Sequence, residues 1–144
     1  MGLPGSVLFA CTLNSIRSPM AEAILKHTHA RRIFVDSVGL KADVVDPLAV
    51  EVMAEIGIDI QAHHPKSFDD LSDTSFDVIV TLSPEAQHRA VEMTRTMACD
   101  VEYWQTFDPT ALEGSRERRL AAYREVRDYL ARRIRERFPP KTPA

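Results

Sequence analysis

Short apolar runs alternate along this chain with stretches whose apolar residues recur at helical spacing. Residues 7–10 (V-L-F-A) read as a strand that ends at Cys11. Ser18 and Pro19 suit the cap and first turn of a helix, with Met20, Ala23, Ile24 and His27 on one face to about Thr28. Residues 33–38 form a second strand between Arg31-Arg32 and Gly39. A second helix opens at Asp46-Pro47, buries Leu48, Val52, Met53 and Ile56, and ends at Gly57. Residues 57–71, with His63, His64 and Pro65, carry little regular pattern. The nearly continuous apolar run at 76–82 (F-D-V-I-V-T-L) predicts a central parallel strand buried on both faces. Ser83-Pro84-Glu85 then starts a third helix running to about Met93. Cys99, Val101 and Tyr103 alternate with Asp100, Glu102 and Trp104 as a fourth strand. A loop at 105–114 leads to a long helix over 115–138, striped by Leu120, Tyr123, Val126, Leu130 and Ile134, and residues 139–144 read as a disordered tail.

Strand–helix alternation predicts a single α/β domain over residues 1–138, a four-stranded parallel sheet with helices on both faces. Ligands in such sheets bind beyond the carboxyl ends of the strands. The loops after Cys11, Val38, Leu82 and Trp104 all gather at that edge.

Composition narrows the function classes. The 144 residues carry a net charge of −3, which gives no overall nucleic-acid signal. Nine arginines between Arg116 and Arg137 stand against Glu117, Glu125, Asp128 and Glu136, reading as a solvated face laced with ion pairs. No stretch is long and apolar enough to span a membrane. Met1-Gly2-Leu3-Pro4-Gly5-Ser6 fits the loose N-myristoylation pattern and reads as a flexible leader. Two cysteines make no disulfide scaffold and suit a reducing, cytoplasmic compartment. His27 and His29 point apart on their helix, and His63-His64 lack partners at metal spacing, so no metal and no cofactor are expected. Cys99 reads as a core thiol.

The chemistry concentrates after the first strand. Cys11 ends the strand, Arg17 follows at the helix start, and the loop between them can turn its N–H groups onto a tetrahedral oxyanion, making this a candidate phosphate-binding loop. A helix N-terminus and a guanidinium favour the thiolate, the nucleophilic form of cysteine. The planar fork of Arg17 suits two phosphate oxygens, Asn14 tolerates a left-handed conformation, and the Ser18 hydroxyl can donate to the sulfur. Together these point to phosphoryl transfer through a thiophosphate on Cys11. Asp108, stiffened by Pro109, is the candidate proton donor for the leaving oxygen. Tyr103, Trp104 and Phe107 precede it, either as a candidate wall of the substrate cleft or as core packing.

The stretch C-T-L-N-S-I-R-S-P-M-A-E-A resembles the phosphate-binding loop of low-molecular-weight protein tyrosine phosphatases and of the thioredoxin-coupled arsenate reductases that share their fold. V-D-S-V-G at 35–39, D-P-L-A at 46–49, G-I-D-I at 57–60 with His63, and Asp108-Pro109 fall in family order. The resemblance implies Cys11 as nucleophile. It implies phosphate binding by Thr12, Leu13, Asn14, Ser15, Ile16, Arg17 and Ser18, with Asp108 as general acid and then general base. Asn14, Ser18, Ser37 and His63 would support the loop. It also implies a phosphorylated protein or small aryl phosphate as substrate and inorganic phosphate as product. Arsenate reduction on the same loop is the alternative, and a catalytically weak phosphate- or phosphopeptide-binding module is another. Four departures stand out: Leu13 in place of a usual glycine, Ile16 in place of a second cysteine, Thr110 and Ala111 in place of tyrosines, and Ser83 about where the arsenate reductases carry a redox cysteine.

Overall fold

Two faces of one sheet organise the computed structural model, which describes residues 3–29, 32–71 and 75–140. Strands β1 (Ser6–Cys11), β2 (Phe34–Gly39), β3 (Val78–Thr81) and β4 (Asp100–Tyr103) are all parallel, in the order β2-β1-β3-β4. The central position expected for 76–82 is found: β3 pairs with β1 and β4, and its four residues are buried. Met1 and Gly2 of the leader, Arg31, and 141–144 of the tail lie outside the described residues.

Alternation along β1 sorts the core into two layers. Val7, Phe9 and Cys11 face helices α1 (Arg17–His29), α2 (Pro47–Ala54) and α4 (Arg116–Arg137), whose buried side chains include Met20, Val52 and Leu130. Leu8 and Ala10 face α3 (Pro84–Met93) through Ala86 and Ala90. The helices therefore split unevenly across the two faces. The stripe read along α4 is buried throughout.

Some local expectations fail for identifiable reasons. α1 begins at Arg17, so Ser18 lies inside the helix and its hydroxyl serves the loop instead of a cap. His27 is exposed and Ala23 only half-buried, while Leu25 and His29 take the inner positions, His29 Nε2 lying 2.8 Å from the Phe138 carbonyl. Ile56 is exposed because α2 stops at Ala54 and the chain turns through Gly57 at φ 79°. β4 is an edge strand that leaves Tyr103 exposed and turns Trp104, just beyond it, into the core against Phe9 and Phe138. Several α4 arginines pair with other elements: Arg116 with Glu51, Arg124 and Arg127 with Glu55, and Arg137 with Glu102.

Candidate active site

The loop after β1 is held by its carbonyls. The Thr12 oxygen accepts from Leu40 and Lys41, that of Leu13 from Asp43, and that of Ser15 from Asp46, all backbone amides of the segment following β2. The amides of residues 13–16 find no protein acceptor among the described residues. A loop with its acceptors spent outward and its donors unspent has the arrangement of an anion nest. Asn14 makes the turn possible at φ 53°, in the left-handed region that Asn tolerates. Gly39 permits the close approach, since a Cβ there would stand 2.5 Å from the Asn14 amide nitrogen.

Beneath the loop lies a polar network buried in the first core layer. Cys11 Sγ is 2.9 Å from Ser18 Oγ. Asn14 Nδ2 donates to Ser18 Oγ at 2.8 Å and to Ser37 Oγ at 2.9 Å, while its Oδ1 accepts from the Lys66 amide and faces His63 Nε2 at 2.9 Å each. Ser37 Oγ in turn donates to Glu22 Oε1. The residues named as loop supports thus meet in one network through His63, not His64, because the segment at 66–67 runs beside the end of β2 and delivers both His63 and Lys66. Burial is the largest influence on His63 and lowers its pKa, opposed by the charge of Glu22. Glu22 went unread in the sequence. Its only local signal is an acid on the inward side of α1, between Ala21 and Ile24.

Arg17 is buried and tethered. Its Nη1 donates to the Thr106 carbonyl at 3.0 Å and Nη2 to Thr12 Oγ1 at 3.4 Å, leaving the other guanidinium hydrogens for a ligand. Asp108 caps the turn Pro109–Ala111, its Oδ1 accepting from the Thr110 amide at 3.0 Å and the Thr110 hydroxyl at 2.8 Å. Oδ2 has no protein partner among the described residues.

Cys11, Arg17 and Asp108 line one cleft of about 480 Å³ with Thr12, Leu13, Ser15, Ile16, Ser83 and Thr110. Three further carboxylates, Asp43, Asp46 and Glu85, stand on its walls, and no aromatic side chain does among the described residues. Of the two readings open for Tyr103, Trp104 and Phe107, the cleft wall is not found and the core holds for Trp104 alone. Trp104 belongs to the core, Tyr103 is exposed on the edge strand, and Phe107 lines a separate cavity of about 360 Å³ with Tyr129.

Cys99 stands before the first residue of β4, at the opposite end of the sheet from Cys11. The register puts it about five residues back along the strand direction, or about 16 Å, before the lateral offset across β3 is added. That is far beyond disulfide reach. Its thiol pKa is raised, by burial first and then by Asp100. It is half-buried against the second core layer, so the core reading of Cys99 holds only in part.

A family model described as low molecular weight phosphotyrosine protein phosphatase matches residues 6–138. An arsenate reductase of Bacillus subtilis is 34% identical over 130 residues, spanning 90% of this chain and 92% of the relative. Among solved structures, an arsenate reductase in a phosphate-binding state superposes with a TM-score of 0.71 at 29% identity, covering 94% of this chain and 95% of the other. A variant of the arginine phosphatase YwlE with a phosphorylated active-site serine superposes with a TM-score of 0.72 at 25% identity, covering 91% of each chain.

Proposed function

The chain belongs to the low molecular weight phosphotyrosine protein phosphatase family, and from that premise we propose that it hydrolyses phosphomonoesters through a thiophosphate on Cys11. The observation that carries this reading is the cleft itself, which joins a thiol 2.9 Å from a hydroxyl, a buried arginine and a carboxylate whose second oxygen has no protein partner among the described residues. The Cys11 sulfur attacks phosphorus, an S–P bond forms, and the P–O bond to the leaving group breaks. The loop amides and the free hydrogens of Arg17 hold the non-bridging oxygens as charge develops on them. Asp108 Oδ2 gives its proton to the leaving oxygen. It then takes one from the water that attacks phosphorus, breaking the S–P bond and releasing inorganic phosphate.

The walls bear on substrate choice. A rim of Asp43, Asp46 and Glu85, with no aromatic side chain among the described residues lining it, favours a phosphoryl group carried beside a positive charge over a bare aryl phosphate. The likeness to an arginine phosphatase supports the same preference.

Hydrolysis of p-nitrophenyl phosphate, a phosphomonoester, and of phosphoarginine, whose P–N bond would break with Asp108 protonating the leaving guanidine nitrogen in place of an oxygen, tests the reading, both followed by phosphate release. Cys11→Ser should abolish turnover of either while inorganic phosphate still binds, and Asp108→Asn should lower it about a hundredfold. A wild-type protein that binds phosphate and turns over neither substrate would sink the phosphatase reading.

The named relatives favour a second reading, arsenate reduction. The Cys11 sulfur would attack arsenic, an S–As bond forming as an As–O bond breaks and its oxygen leaves as water, to give a thiol–arsenate adduct. Because Cys99 lies at the far edge of the sheet, an external thiol would attack the Cys11 sulfur. The S–As electron pair would pass to arsenic, giving arsenite and a mixed disulfide that a second thiol reduces. Arsenate-dependent thiol consumption that is unchanged in Cys99→Ala is the expected mark of that route.

A further inference from the structure

Ser83 follows β3, and the pairing of Ala10 with Thr81 carries it to the side of the anion loop. It is 1% exposed and lines the cleft. As the cap of α3 its Oγ accepts from the Ala86 amide at 3.3 Å, and it also accepts from Thr12 Oγ1 at 3.1 Å. Thr12 Oγ1 is itself an acceptor, from Arg17 Nη2. The Thr12 hydroxyl accepts from Arg17 and donates to Ser83, so the chain runs from Arg17 to Thr12 to Ser83. Both acceptor positions of Ser83 are then occupied, and its own O–H meets no acceptor among the described residues. A hydroxyl this deeply buried, with a spent oxygen and an unspent hydrogen, is a donor held for something that enters the cleft.

We propose that Ser83 contacts the substrate, its hydroxyl donating to an oxygen of the bound phosphoryl group from the wall beside Thr12. The relay extends the polarisation of Arg17 to a side of the anion that its tethered fork does not cover. This assignment rests on the anion-binding reading of the loop and holds for phosphate and arsenate alike.

The test separates the donor from the helix cap. Ser83→Ala removes both, Ser83→Gly removes the donor and keeps most of the capping benefit, and Ser83→Thr keeps both. Inorganic phosphate affinity, measured by calorimetry with no turnover, should fall about tenfold or more in both Ala and Gly and return in Thr. Thermal melts of the same three proteins report the cap separately. Phosphate binding by Ser83→Gly within twofold of wild type would overturn the assignment, as would losses that follow the melting temperatures instead of the missing hydroxyl. A wild type that binds phosphate without hydrolysing it would end the phosphatase reading and leave this one standing. A wild type that binds no phosphate would end both.

Discussion

Asn14 shows how completely one side chain can be committed. Its backbone sits in the left-handed region, its Oδ1 faces the Lys66 amide and His63, and its Nδ2 faces Ser18 and Ser37. The Lys66 amide can only donate and the Glu22 carboxylate facing Ser37 can only accept, so the amide cannot be reversed without opposing two partners. Asn14→Asp should therefore be worse than its size suggests, since it puts an acceptor where Ser18 and Ser37 need a donor. It should cost about 1–3 kcal/mol in urea unfolding and most of the hydrolytic activity. If the Asn14→Asp protein were as stable and active as the parent, the polarity of the network would be dispensable. Much of this residue was legible in advance, because Asn in mid-loop is a local signal. Glu22 was not, since nothing in its neighbourhood says that Ser37, fifteen positions on, will donate its hydroxyl hydrogen there.

At the scale of elements, the strand and helix order was readable from periodicity, and the ends were less so. Ser18 followed by Pro19 looks like a cap, and tertiary demand overrode that signal by drawing the hydroxyl to Cys11, Asn14 and the Val38 carbonyl. The segment 57–71 has no period because it is shaped by one short bridge to Gly39 and by its delivery of His63 and Lys66. Gly39 is where two elements touch: any side chain would meet the backbone of Leu13 and Asn14 at 2.5–2.6 Å. Gly39→Ala should push the anion loop off its supports while the sheet survives. Phosphate affinity should then drop at least about tenfold with far-ultraviolet circular dichroism unchanged, and an intact affinity would mean that the loop can move aside at little cost.

Across the whole molecule, α4 is clamped to α2 through Glu55, which takes hydrogen bonds from Arg124 and Arg127. Those two guanidiniums lower its pKa from the ordinary 4.5 to about 2. A carboxylate held below its unfolded value stabilises the fold above that value, and the contribution is lost as pH falls from about 4.5 toward 2. Glu55→Gln should flatten that part of the pH–stability curve, followed by urea midpoints. A variant with the same acid limb as wild type would place the sensitivity elsewhere. Solvent exposure keeps the effect small.

The bond from Arg17 to the Thr106 carbonyl has a consequence for the cleft. Thr106 stands two residues before Asp108, so the side chain proposed to hold the anion also moors the loop that carries the proposed acid. In the proposed reaction, holding the anion and placing the acid would thus depend on one side chain.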